Sequence, residues 1–421
     1  MLVVVLLAAG GGFAQSTNMN AIAESYVKLV LALGNFDADY VDAYYGPTTW
    51  QAASKAAPLP LAQIRTRAHT LRQELASADT PANAELENLR RQYLDKQLGA
   101  MEARVEMLEG RKFSFDEESR RLYDATAPFN PEEHFREVLA QLDRTLPGKG
   151  TLAERWEAYR RRFFVPRDKL DVVFRTAIAE CRRRTALHIA LPPGESFTVE
   201  YVKGTPWGAY NWYKGNFQSV IQVNTDLPIT IDRIIDLACH EGYPGHHVYN
   251  SLLEKHLVRD RGWVEFSVYA LYSPQSLIAE GSGNYGIKVA FPGDEKLAFE
   301  RAVLFPLAGL DSARAAEFER VGRLMKQLGY AANEAARRYL NGEIAAATAA
   351  AWLTRYTLAE PAQAAKHVRF IDRYRSYVIN YNLGEDLVEH YVEARADGDA
   401  RRRWDAFAEL NSSPRLPSTL K

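Results

Sequence analysis

Apolar residues recur at spacings of three and four, with charges between them, along residues 20–33, 61–77, 83–109, 131–142 and 153–187. Coiled as an α-helix, each of these segments carries one apolar stripe, so the chain is expected to be mainly α. The period changes to two between residues 196 and 225, where 197–202 and 219–224 alternate and are rich in β-branched residues. A small β-sheet is expected there, beside the helix that follows it. That helix covers 231–238, with Thr230 placed to cap it and Asp232 suited to the positive end of its dipole. His240 and Glu241 come next in the chain. Ala345 and the alanines after it form a good helix former rather than a linker, and no repeat of fixed period is present.

Breaks in this pattern suggest an organisation. Pro58, Pro60 and Pro81 punctuate the first half, and the turn-rich stretch 146–150 separates an N-terminal helical region, 16–150, from a core, 151–410. Residues 411–421, with Pro414 and Pro417, read as a disordered tail. Residues 1–15 begin with the uncharged run MLVVVLLAA and continue with the small residues around Gly12 and Ala14. They read as a short signal peptide, which implies a periplasmic or secreted protein. The run is too short to span a bilayer, and no later stretch approaches the ~20 apolar residues required, so no membrane span is expected.

Composition narrows the class of partner. A chain of 421 residues buries a core without help from disulfides, and 52 basic against 53 acidic residues give a net charge of −1. No electrostatic footprint for nucleic acid follows from that balance, and a peptidic or small partner fits it better. The two cysteines, Cys181 and Cys239, form either one bridge or two buried thiols.

The chemistry concentrates in one place. Three of the nine histidines fall in His240-Glu241-Gly242-Tyr243-Pro244-Gly245-His246-His247. Neutral imidazole is a preferred ligand of zinc, and a catalytic zinc takes three protein ligands and keeps one position open. In the helical form of such sites, His-Glu-x-x-His, residues i and i+4 share a face and the Glu between them takes a proton from water. Pro244 cannot donate to the carbonyl of His240 and crowds that turn, so an uninterrupted helix is not expected. If two residues loop out, as Gly242 and Gly245 permit, His246 returns to the i+4 place. If the helix kinks instead, His247, about two turns on, shares the face of His240. We favour His246. The third ligand must be a downstream carboxylate or His256, and Glu280, at the end of an apolar run and followed by Gly281, is the choice. A buried hydrogen-bonded histidine or a capped turn explains any one of these residues, but not the set.

The segment from His240 to His247 resembles the signature of the bacterial family called domain of unknown function 885, gluzincin-like zinc metallopeptidases. Similar stretches are Tyr40-Val41-Asp42-Ala43-Tyr44-Tyr45-Gly46-Pro47, Val223-Asn224-Thr225, Glu280-Gly281 and Arg373-Tyr374-Arg375-Ser376-Tyr377-Val378. The resemblance implies Zn2+ bound by His240, the histidine after Pro244-Gly245, and Glu280, with Glu241 as general base on a peptide substrate. Gly245-His246-x-x-Tyr249 also resembles the end of the shorter motif of angiotensin-converting-enzyme-like peptidases, which again selects His246. His247 then either supports the ligands from behind or faces the substrate. Two departures stand out: many members continue the Glu-Gly with Trp-Ala-Leu-Tyr where this chain has Ser282-Gly283-Asn284-Tyr285, and a common Pro-Gly-Gln-Ala is here Pro361-Ala362-Gln363-Ala364.

Around the site, Phe370, Tyr374, Tyr377 and Tyr381 fall on one stripe of an expected C-terminal helix, where aromatics more often pack a core than act. Tyr374 and Tyr377 are candidate donors to a reaction oxyanion, and Arg373 and Arg375, interleaved with them, are candidates for holding a substrate carboxylate. The strand at 219–224 is a candidate edge for a substrate backbone. A zinc protein without peptidase activity, or one acting on a non-peptide amide, shares these residues.

Overall fold

The computed structural model describes residues 11–77, 84–205 and 207–420, and side chains from Met19 onward. It is mainly α with two small sheets. Residues 1–10 of the expected signal peptide lie outside the described residues, and the helix Gly11–Leu33 begins within the remainder. Among the described residues no helix is long and apolar enough to cross a membrane.

Most of the helical pattern is realised as read, in the helices Leu61–Ser77, Glu85–Leu108 and Glu132–Thr145. The run expected over 153–187 is instead two helices, Leu152–Arg160 and Leu170–Ala186. Pro166 explains the break, because a proline drives the residue before it into extended geometry. Val165 is spent on a strand-like contact, its N–H donating to Ile229 O at 2.9 Å. The first of the two helices starts on a capping box made by Thr151 and Glu154.

The sheet expected between 196 and 225 has three strands rather than two. β1, Val41–Tyr44, belongs to a separate pair; β2, Ser196–Val202, lies parallel to β4, Gln218–Asn224, and β3, Ala209–Gly215, antiparallel to it. The order β2-β4-β3 therefore puts β4 in the middle, with both ladders taken. It has no free edge for a substrate, contrary to the expectation for residues 219–224. β5, Val268–Ala270, pairs with β1 and leads into the helix Pro274–Ala290.

That helix is central to the packing, touching helices from both halves of the chain. It packs along Ile379–Ala396 so closely that a Cβ on Gly281 would stand 2.3 Å from Gly384 O, and one on Gly384 would stand 2.6 Å from Leu277 O. Only glycine fits at either position. Residues on both sides of 146–150 share one apolar core, which runs from Met19 to Leu420. The supposed tail is part of it: Leu416 and Leu420 are buried, and the Ser418 N–H donates to Asp124 Oδ2 at 3.1 Å. Proline content suggested disorder there; two leucines at the right spacing outweigh it.

Candidate metal centre

The helix Ile231–Leu237 widens into a π-type turn, Ala238–Gly242, and a second helix, His246–Leu253, follows. Thr230 sits at the start of the first helix, but its side chain makes no capping bond. In the widened turn Tyr243 N–H bonds to Ala238 O at 3.2 Å and Gly245 N–H to Cys239 O at 2.9 Å. The bulge needs Gly245, because a Cβ there would lie 1.9 Å from His240 O. Its effect is to bring the imidazoles of His240 and His246 together, with ring centroids 4.5 Å apart at 80°. His247 is carried the other way. It is 0% exposed, with Nε2 2.9 Å from Glu195 Oε2 and Nδ1 2.9 Å from Ser219 Oγ. Of the two places expected for it, it does not face a substrate but is enclosed in the protein, anchoring the motif to β4 and to Glu195, which also accepts from Tyr243.

Glu280 reaches the histidine pair from the central helix. Its Oε2 lies 3.3 Å from His240 Nε2 and 3.8 Å from His246 Nε2, and is buried without a hydrogen-bond partner. Oε1 accepts from the Tyr377 hydroxyl at 2.8 Å. Glu241 is close as well, with ligand-type atoms of His240, Glu241 and His246 all within 4.8 Å of one another. The two carboxylates differ in state. Burial and the charge of Glu280 push Glu241 up to about 7, against the pull of His240. Burial works the same way on Glu280, yet His240, His246 and Tyr377 together hold it below the usual carboxylate range. Burial and the neighbouring His240 push His246 down to about 4, leaving a neutral imidazole. Two imidazole nitrogens aimed at a buried, unpartnered carboxylate oxygen form a donor set that fits zinc.

Residues not singled out from the sequence complete the setting. Asn284 donates through Nδ2 to Tyr381 O at 2.9 Å, which turns its Oδ1 toward His240 Nδ1, also at 2.9 Å. A His240 proton is thus placed on Nδ1, while Nε2 faces Glu280; burial opposes charging of this imidazole, but Glu280 and Glu241 outweigh it and raise its pKa. Asn284 was visible only as a departure from the family pattern. On β3, Asn211 Nδ2 donates to Glu241 O at 2.7 Å. Cys181 and Cys239, the residue before His240, are buried thiols with Sγ atoms 2.9 Å apart.

The arginines expected to hold a substrate carboxylate are occupied. Arg373 makes a two-pronged pair with Asp39, at 2.7 and 2.6 Å, and Arg375 donates to the buried Glu118 at 2.7 Å. The aromatic stripe also breaks: the helix Pro361–Tyr374 ends where Arg375 takes φ 53°, and a new one starts at Ile379. Tyr377 remains at the site through Glu280, whereas Tyr374 stands a ring away, its centroid 6.1 Å from that of Tyr377.

No family model matches the chain. None of the curated proteins matches it either. Among solved structures it is similar to a protein from Colwellia psychrerythraea that carries the provisional name of lipoprotein, with a TM-score of 0.54 and 16% identity over 88% of this chain and 71% of that one. A carboxypeptidase of the M32 family from Deinococcus radiodurans R1 follows with a TM-score of 0.40 and 12% identity, covering 94% of this chain and 90% of its own. A structure named CHT gives a TM-score of 0.43 and 12% identity over 96% of this chain and 90% of that one. The first likeness is one of fold, and the lower scores of the other two support no further argument.

Proposed function

We propose that this chain is a zinc-dependent metallopeptidase in which His240, His246 and Glu280 hold the metal and Glu241 is the general base. The observation that carries the reading is the convergence of two imidazole Nε2 atoms on a buried Glu280 oxygen that no protein donor satisfies. The resemblance to the domain 885 family supports the same assignment. Zinc held there supplies Lewis acidity, acidifying a water and polarising a carbonyl. Glu241, its carboxyl lifted to about 7 mainly by burial, is suited to accept a proton near neutral pH and return it to the departing amine. Asn284 fixes the tautomer of His240, and Tyr377 orients Glu280 through Oε1. Glu280 in turn keeps its other oxygen free for the metal. The apolar run at the N-terminus supports export, which the N-terminal sequence of the mature protein would test.

Elemental analysis of protein purified without chelators or tags should give about one zinc per chain. Glu241→Gln should retain that zinc and lose hydrolysis of a peptide library by about 100-fold or more. Absence of stoichiometric metal, or full activity in Glu241→Gln, would overturn the proposal.

A further inference from the structure

Only two cysteines occur in the chain, and the fold brings them together across 58 positions. Cys181 lies on the helix Leu170–Ala186, and Cys239 in the widened turn Ala238–Gly242, one residue before His240. Both are 0% exposed, and among the described residues neither sulfur has a hydrogen-bond partner other than its neighbour at 2.9 Å. That is closer than the ~3.5–4.0 Å at which even carbon atoms rest, so the packing of helix against turn presses the sulfurs together. A disulfide needs ~2.05 Å, which each sulfur reaches by moving about 0.4 Å. The backbones on either side are already held: the Thr185 hydroxyl donates to Cys181 O and the Gly245 N–H to Cys239 O, both at 2.9 Å. Two small buried residues that only filled space would need no such approach.

We propose that Cys181 and Cys239 are joined as a disulfide while the chain folds, tying the helix 170–186 to the turn that carries His240. The inference does not rest on the peptidase reading. The oxidant is a disulfide, small or protein-borne, of the kind that an exported chain meets. One thiolate attacks that disulfide and displaces a thiol; the second attacks the mixed disulfide and displaces the other. Two S–H bonds are lost and one S–S bond forms, and the two electrons and two protons leave on the oxidant as a pair of thiols. Burial sets the timing, because no oxidant reaches either sulfur once the region has packed. The bland alternative is a pair of buried thiols that stay reduced.

The test unfolds the full chain in denaturant with dithiothreitol and refolds it in a mixture of reduced and oxidised glutathione. The product is then unfolded in iodoacetamide without reductant and its intact mass measured. Expected is a monomer free of alkylation and lighter than the reduced chain by two hydrogens, with a proteolytic cross-link between the peptides of Cys181 and Cys239. Two alkylated cysteines, or glutathione left on either one, would overturn the proposal. Because the bridge closes a loop spanning 58 positions, the bridged protein should also need about 1 M more urea to unfold than a sample refolded in dithiothreitol. An equal or lower midpoint would mean that oxidation strains the fold, and a native bridge would be refuted. If the chain does not refold from denaturant, protein taken from the periplasm of expressing bacteria and unfolded directly in iodoacetamide is read by the same mass criteria.

Discussion

Gly283 lies on the central helix against the face of His240, and a methyl group there would come within 2.8 Å of both Cε1 and Nδ1 of the imidazole. Ordinary contacts between such atoms are about 3.5–4.0 Å, so in Gly283→Ala the ring must retreat by roughly an ångström. That movement breaks the 2.9 Å bond to Asn284 and spoils the aim of Nε2 at Glu280. Losing an outer hydrogen bond to a ligand histidine costs about 10- to 100-fold in metal affinity, and a misplacement of ~1 Å costs about 100-fold in rate. The backbone effect has the opposite sign, since alanine is favoured over glycine within a helix by about 0.5–1 kcal/mol. Displacing the ring takes back a similar amount, of order 0.5–1.5 kcal/mol. The metal-free variant should therefore unfold within about 1 kcal/mol of the parent while binding zinc ten to a hundred times more weakly. Urea unfolding of chelator-treated protein measures the first quantity, and competition with a chromogenic zinc chelator the second. Zinc affinity within a factor of about two of the parent would show that His240 is not a ligand held by this contact.

Three further outcomes follow from other parts of the structure. His246→Ala should lose metal with little change in folding, whereas His247→Ala should keep the metal-binding residues and destabilise the fold by about 2–3 kcal/mol, because Glu195 and Ser219 lose a buried partner; denaturation and metal titration of both variants separate the roles. Gly384→Ala should cost about 1–3 kcal/mol in urea unfolding, since the new methyl meets Leu277 O at 2.6 Å with no room to shift. Burial, opposed by Lys296 and aided by Asp232 and Asp236, pushes Glu300 from 4.5 up to about 8. The folded chain then keeps a proton that the unfolded chain releases, so this stabilisation is complete below 4.5 and lost as pH rises toward 8. Glu300→Gln should have a higher Tm than the parent at pH 8 and a similar one near pH 5, and equal Tm differences at both would contradict the assignment.

The sequence disclosed what depends on short spacings. Helical stripes were legible from the three-four period, and the His240 to His247 cluster from unusual chemistry packed into eight positions. Pro244 between two glycines was enough to anticipate an interrupted helix, whereas preferring His246 over His247 also drew on the likeness of Gly245-His246-x-x-Tyr249 to a shorter peptidase motif. What remained hidden depends on partners far along the chain. Arg373 and Arg375 looked free because Asp39 and Glu118 precede them by 334 and 257 positions. β3, Ala209-Tyr210-Asn211-Trp212-Tyr213-Lys214-Gly215, escaped notice because it has no β-branched residue, although its three aromatics suit a strand paired with β4. Leu416 and Leu420 were too sparse a signal against two prolines to mark a packed end.

The contact between Gly281 and Gly384, with Tyr377 on Glu280 beside it, also bears on the order of events during synthesis. The histidine pair is made first, and Tyr377 with the helix that follows it, which hold Glu280 in place, come about 130 residues later. A nascent chain thus exposes two candidate ligands long before the third is clamped. On the proposed assignment the full set of metal-holding residues is in place only in a nearly finished chain.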